Sequence, residues 1–190
     1  MPKVIDIEQA PVHLVHLRRD RFRSRIGELM RVYASAFEVS GGQVDRQREI
    51  VLRHTSYPGF TAVGAELNGA LVGFCYGTKG ADDQWWHRQV APAFSEESRQ
   101  TWLSDYFCLI ELAVDPALQG KGVGRRLVEE LLARVDDTYW RCLVMTDMAN
   151  ARAKRLYESL GFSDVLAGFR FTGSGDAKRI MGRVSSAGPP

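Results

Sequence analysis

The chain is 190 residues long and carries 25 Lys and Arg against 23 Asp and Glu, a formal net charge of +2. That length suits one domain whose core needs no disulfide or metal staple, and the 45% hydrophobic and 25% charged fractions exclude a wholly disordered chain. A net charge of +2 gives no electrostatic ground for a nucleic acid or an anionic membrane as partner. No apolar run reaches the ~18–20 residues of a membrane span, and the first twenty residues hold no apolar signal-peptide core.

Phe22, Ile26, Leu29, Met30, Tyr33 and Phe37 recur at helical spacing and predict an amphipathic helix over 22–38. Its entrance is basic, with arginines at 18, 19, 21, 23 and 25, which reads first as a solvated face and second as phosphate contact. After Gly41-Gly42 a second helix is expected over 45–55, with Asp45 as N-cap. Phe60–Leu67 and Ala70–Gly77 are β-rich, and Asn68-Gly69 between them signals an antiparallel hairpin. Residues 81–105 fit neither period and are expected to form an irregular excursion with one helical turn. Phe107–Val114 is a continuous apolar run containing one charge, Glu111, and reads as a buried strand ended by Asp115-Pro116.

Val123, Leu127, Val128, Leu131, Leu132 and Val135 mark one face of a helix over 121–136, followed by a short buried strand at Cys142–Thr146. Ala153, Leu156, Tyr157 and Leu160 mark a further helix, stopped by Gly161. Phe162–Phe171 and Arg179–Val184 are expected as closing strands joined by a glycine-rich turn, with 185–190 as a frayed tail. This order predicts one domain over 1–184 of α/β (α+β) class, its mixed central sheet antiparallel at first and parallel at the middle strands. Cys75, Cys108 and Cys142 lie in apolar runs with no C-x-x-C pair, so they read as reduced, buried thiols, and a cytoplasmic location is the expectation. The four histidines are scattered. His13 and His16 lack a third ligand in local reach, so no metal site is expected.

The sharpest local feature is Gln119-Gly120-Lys121-Gly122-Val123-Gly124-Arg125-Arg126, between a buried strand and an amphipathic helix. Glycines there permit a tight turn and close approach of a ligand to the main chain. The first N–H groups of the helix lack intrahelical partners and its dipole favours negative charge, so the loop is an anion cradle suited to phosphate. A ligand-free tight turn is the alternative. A Walker A loop fails because no Lys-Ser or Lys-Thr follows, and the dinucleotide fingerprint fails by register, with Arg125 or Leu127 where its last glycine belongs.

The spacing that fits is Q-x-x-G-x-G, from Gln119 to Gly124. It resembles the coenzyme A pyrophosphate loop of the GCN5-related N-acetyltransferases (GNAT). Downstream, Asn150-Ala151-Arg152-Ala153-Lys154-Arg155-Leu156-Tyr157-Glu158-Ser159-Leu160-Gly161-Phe162 is similar to that family's N-x-x-A-x-x-L-Y-x-x-x-G-F segment. The two motifs stand in the family's order and span 107–162, while 1–106 agree in element order only. The resemblance implies a mixed sheet with helices on both faces and acetyl-CoA as acyl-donor co-substrate, without a metal. It also implies that the main chain at Leu112, Ala113 and Val114 pairs with the pantetheine arm, and that Gln119, Gly120, Lys121, Gly122, Val123, Gly124 and Arg125 hold the pyrophosphate. Asn150 and Ala153 would border the coenzyme, and Asn150 also reads as an N-cap.

By the same resemblance Tyr157 would protonate the departing thiolate. On spacing alone it reads as a core tyrosine whose hydroxyl finds a partner. Alternation puts Glu111 on one strand face with Leu109 and Ala113, where a carboxylate is costly unless it is hydrogen-bonded or borders a cleft. An amine arrives as ammonium and must lose a proton before it attacks. Several members of the family carry an acidic residue on this strand that acts through water, so the resemblance makes Glu111 the candidate base, with a structural ion pair as the alternative. The expected reaction is direct attack of a primary amine on acetyl-CoA in a ternary complex.

For the acceptor, 81–105 holds Trp85, Trp86 and Trp102, with five acids (Asp82, Asp83, Glu96, Glu97, Asp105) against two arginines (Arg88, Arg99). Aromatic faces beside carboxylates suit a cation with apolar parts, so Trp85, Trp86 and Asp105 are candidates for a cationic small-molecule amine. The resemblance adds Tyr33, Phe37 and Tyr57, since the first helices border that pocket in the family. The bland alternative is that the tryptophans cap the core or a contact between copies in a homodimer. A protein or peptide N-acetyltransferase and a non-catalytic acyl-CoA sensor are the other two readings.

Overall fold

The computed structural model describes residues 11–172 and 175–185. In chain order its elements are β1 (His13–His16), α1 (Arg19–Ser24), α2 (Ile26–Phe37), α3 (Gly42–His54), β2 (Thr61–Leu67), β3 (Ala70–Lys79), α4 (Trp85–Val90), α5 (Glu96–Trp102), β4 (Phe107–Val114), α6 (Val123–Val135), β5 (Arg141–Asp147), α7 (Ala151–Glu158), β6 (Ser163–Phe169) and β7 (Lys178–Val184). Among the described residues the strands form one sheet in the order β1-β2-β3-β4-β5-β7-β6. β4 and β5 run parallel and the other neighbours antiparallel, as the order of elements implied. The expected tail beyond residue 185 and part of the glycine-rich turn, 173–174, lie outside the described residues.

Asn68 and Gly69 both adopt positive φ, 52° and 81°, the turn geometry whose twist matches its flanking strands, so β2 and β3 form the expected hairpin. The single helix expected over 22–38 is two. The chain breaks at Arg25, whose Nε and Nη2 each donate to Glu28 at 2.7 Å while Nη1 reaches Glu66 of β2. That pairing turns Phe22 into the core against Phe60, with ring centroids 5.0 Å apart. α3 begins three residues earlier than expected. Gly41, at φ 55°, precedes it, and Asp45 sits inside the first turn, favoured there by the helix dipole rather than as N-cap. β1 carried no signal in the sequence: four residues with the burial pattern of an edge strand are too short to show a period.

Residues 81–105 are more regular than expected. α4, a 3₁₀ turn at Ala91–Ala93 and α5 bury Val90, Phe94 and Leu103, and Ser95 caps α5 by accepting from the Ser98 amide at 3.2 Å. Helices of six and seven residues hold too few turns for a 3.6-residue period to show, and Pro92 interrupts what there is.

The core lies on both sheet faces. α6 buries six aliphatic side chains against one face, each contributing ~1.5–3 kcal/mol on burial, and α7 adds Tyr157 to the same cluster. On the opposite face α1, α2 and α3 cover β2, β3 and the end of β4, while the 81–105 segment covers the start of β4 with β5 and β7. Ile110 packs against both of those groups, at the seam between them.

Two irregularities shape β4. Tyr76 pairs with Glu111 and Gly77 with Leu109, so Ile110 is an extra residue on β4, a β-bulge. Gly77 is required opposite it, because a Cβ there would sit 2.3 Å from the Cys108 carbonyl oxygen. The second irregularity is an opening. β4 pairs with β5 only from Phe107↔Cys142 to Leu109↔Val144, whereas β4 stays paired with β3 to Val114 and β5 with β7 to Asp147. The two parallel strands therefore part over the second half of β4.

Candidate active site

The bulge changes the face of Glu111. Strict alternation joined it to Leu109 and Ala113. With Ile110 inserted, Glu111 instead shares its face with Tyr76, Phe74 and Ala113, and Leu109 goes to the α6 side with Leu112 and Val114. Glu111 is thus directed toward α2 and α3. There its Oε2 accepts from Gln47 Nε2 at 3.1 Å, and burial pushes its carboxyl up to about 8 while the Gln47 hydrogen bond and the Leu112 amide pull the other way. Among the described residues no cation pairs with it, so the structural ion pair weighed from sequence does not form.

From α7, Tyr157 enters the cluster on the opposite face. It is 5% exposed, packs edge-to-face on Phe162 at 5.6 Å, and its hydroxyl hydrogen-bonds no other described residue. Burial, with smaller contributions from Cys75 and Glu111, holds its hydroxyl protonated well above the ordinary tyrosine range. Glu111 thus projects from β4 toward α3 on one face of the sheet, and Tyr157 packs on the other.

At the end of β4 the chain makes a short turn, Pro116–Leu118, capped by Asp115, and enters the glycine loop. Gly120 and Gly122 adopt positive φ, 79° and 82°, which a side-chain-bearing residue rarely takes. Arg126 is the first residue of the helix to find a carbonyl, Gly122. Among the described residues the amides from Gly120 to Arg125 donate to no protein acceptor. Gln119 fixes the loop with both ends of its amide: Nε2 donates to the Val114 carbonyl at 3.0 Å and Oε1 accepts from Arg152 at 2.9 Å. Asn150 caps α7, accepting from the Ala153 amide at 2.9 Å, as its position before the helix implied.

A cavity of about 490 Å³ joins these parts. Its walls include Leu112 and Val114 of β4, the loop from Gln119 to Arg125, Asn150, Arg152, Ala153 and Leu156 of α7, and Ala36 and Phe37 from α2. Of the residues singled out for the coenzyme, Ala113, Val123 and Tyr157 lie in the core and are not part of the cavity wall, and Lys121 stays exposed on the loop. Glu111 does not line the cavity either. Arg126 turns away, donating to the Val12 carbonyl at 3.1 Å. The cation that sequence reasoning passed over is Arg152. It stood in a variable position of the N-x-x-A segment, but one turn of helix and the Gln119 contact bring it to the loop.

The acceptor candidates divide. Tyr33 lies near enough to Glu111 for that carboxylate to raise its pKa, after burial, and its ring is 4.8 Å from Phe37, which lines the coenzyme-side cavity. Trp86 and Trp102 pack into the core under 81–105, as the bland alternative had it. Trp85 is 56% exposed but stacks on Phe171 at 5.2 Å, and Asp105 pairs with Lys79 at 3.2 Å. Trp85, Trp86 and Asp105 are therefore not brought together with Tyr33 and Glu111.

A sheet parted between two parallel strands, with a glycine loop and a helix N-terminus at the mouth, makes a cleft suited to a phosphate-bearing ligand. The sequence model of the acetyltransferase (GNAT) family matches residues 26–162. A GCN5-like protein acetyltransferase of Mycobacterium tuberculosis is 30% identical over 201 residues, covering 91% of this chain and 98% of that one. The N-alpha-acetyltransferase RimI of the same organism is 35% identical over 120 residues, covering 62% and 58%. The crystal structure of the ribosomal-protein-S18-alanine N-acetyltransferase of Escherichia coli superimposes with a TM-score of 0.66 at 18% identity, covering 93% and 95%. The chain belongs to the GNAT family and is an acetyl-CoA-dependent N-acetyltransferase, which sets aside the non-catalytic sensor. No helix of the described residues is long and apolar enough to cross a membrane.

Proposed function

We propose that the enzyme transfers the acetyl group of acetyl-CoA directly to a polypeptide amine, with Glu111 as base and Tyr157 as donor to the sulfur. The observation that carries this reading is the pairing of two titratable groups with opposite duties at one stretch of β4. A half-buried carboxyl pushed up to about 8 can accept a proton from an ammonium, and a tyrosine held protonated can supply one. In the ternary complex Glu111 takes the proton of the amine, the amine attacks the thioester carbonyl, and the Tyr157 O–H stabilises the sulfur as the C–S bond breaks. The β4 amides freed by the parting of β4 and β5 are suited to the pantetheine arm and the developing oxyanion.

The free amides of 120–125, with Arg125 and Arg152 beside them, suit the pyrophosphate. Arg125 donates to Ser159 at 2.6 Å and lies 3.5 Å from Glu129, so it is held at the rim rather than free in solvent.

For the acceptor, a relative aligned over 91% of this chain is a protein acetyltransferase by its description. The part of the 81–105 segment that had argued for a small cation is largely core. A cationic small-molecule amine is the second reading, favoured by the exposed Trp85–Phe171 stack beside exposed Asp82 and Asp83. Free-thiol release from acetyl-CoA separates the two. Peptides with a free N-terminus, N-blocked lysine peptides and spermidine are offered in parallel. Turnover confined to the peptides supports the first reading, turnover confined to spermidine replaces it with the second, and release with none of the three refutes both acceptor classes.

A further inference from the structure

Glu111 has one side-chain hydrogen-bond partner among the described residues, Gln47 of α3, whose Nε2 donates to Oε2 at 3.1 Å. We propose that Gln47 is the positioning residue of this base, holding one carboxylate oxygen of Glu111 and leaving the other for the acceptor amine. The proposal rests on the reading of Glu111 as base.

The geometry is specific. α3 is thinly anchored, with Val51 its one fully buried side chain. Val44 packs half-buried against the same cluster, and two polar ties reach the sheet: Gln47 to Glu111, and His54 Nδ1 to the Tyr76 hydroxyl at 3.0 Å. Gln47 and His54 are seven residues apart, about two turns, and so project from one helix face. Their targets are direct cross-strand partners, Tyr76↔Glu111, at the bulge. One helix face therefore clamps both members of the pair that the bulge re-aims.

The chemistry points the same way. The titratable groups that interact with Glu111 are Tyr33 of α2, Tyr76 and Cys75 of β3, and Tyr157 of α7, all held in their neutral forms by burial. With no cation in the set, the Gln47 amide and the Leu112 amide are what favour the ionised carboxylate. An amide can donate without titrating, so it fixes the carboxylate at every working pH. A carboxylate in its place would compete for the same proton.

The test reads Glu111 directly and needs no known acceptor. Protein labelled with ¹³Cδ-glutamate is titrated by NMR, the Glu111 resonance being assigned by its loss in Glu111→Gln. In the wild type the midpoint is expected near 8. Gln47→Leu, which removes the donor, moves it about one pH unit alkaline, and Gln47→Lys, which substitutes a charged donor, moves it about one unit acid. Coenzyme A affinity stays unchanged in both. Opposite shifts cannot come from general loosening of α3, and Gln47→Lys carries the test alone if Gln47→Leu does not fold. Midpoints within about 0.2 units of wild type in folded variants overturn the proposal. Failure of the base reading itself shows elsewhere, as a Glu111→Gln enzyme whose pH–rate profile is unchanged.

Discussion

Glu111→Gln should make the protein more stable in mild alkali while disabling it. Folding raises the carboxyl from its ordinary 4.5 to about 8. Between those values the folded state binds the proton more tightly than the unfolded state, so stability falls as pH rises, and above about 8 the full cost is present. At ~1.36 kcal/mol per unit the ceiling is about 5 kcal/mol. Because Glu111 is half-buried and solvent reaches part of it, we expect roughly half of that, about 2–3 kcal/mol. The neutral amide carries no such cost and keeps the acceptor that Gln47 needs. Urea unfolding of wild type and variant at pH 5 and pH 8.5 measures it. The variant should gain roughly 2–3 kcal/mol on the wild type between the two pH values, ~5–10 °C in Tm for a chain of this size. Other titrating groups cancel in the double difference. Stability curves that run parallel from pH 5 to 9 would refute the claim that a carboxylate without a cation partner is half-buried at the bulge.

Tyr157→Phe should lower kcat roughly 10²-fold with the KM for acetyl-CoA and the Tm little changed, since the hydroxyl makes no hydrogen bond to a described residue; steady-state kinetics check it. Gly122→Ala has open space for its methyl group, so its cost is the left-handed backbone alone, about 1–2 kcal/mol, seen by thermal melting together with a raised KM for acetyl-CoA. Arg152→Ala should weaken coenzyme A binding several-fold and flatten its salt dependence by calorimetry, whereas Arg126→Ala should leave both as they are. Gly80→Ala would place a methyl carbon 2.0 Å from the Tyr106 ring and should cost ~3 kcal/mol or more, read as loss of soluble protein or a sharp fall in Tm.

What could be read from the sequence was what repeats or obeys a local rule. The hairpin at Asn68-Gly69, the bounds of β4, the face of α6 and the cap at Asn150 each follow from a few adjacent residues, and the structure has them where expected. The misses have a different origin. The break at Arg25 depends on Glu66, forty-one residues away. The role of Trp86 and Trp102 depends on which strands the 81–105 segment happens to cover. Gln47 stood on a predicted helix with nothing to distinguish it from Arg46 or Arg48 until Glu111 lay opposite. Contacts of this kind pair residues far apart in the chain, and one sequence carries no record of such pairs.

The bulge at Ile110 joins these threads. Without it Glu111 would lie on the same face as Leu109, which packs beneath α6, with no amide from α3 to meet it. The extra residue becomes possible because Gly77 leaves room for the Cys108 carbonyl and the Phe107 ring, both under 2.5 Å from where a Cβ would stand. It also falls where pairing with β5 has just ended at Leu109↔Val144. One inserted residue thus sets apart two stretches of β4: a first half, paired on both sides, that belongs to the core, and a second half, open on one side, that borders the cavity and carries the proposed base. If Glu111 is the base, a glycine on the neighbouring strand is as much a condition of the chemistry as the carboxylate itself. Gly77→Ala should cost activity through the direction of the carboxylate even in whatever fraction of the protein still folds.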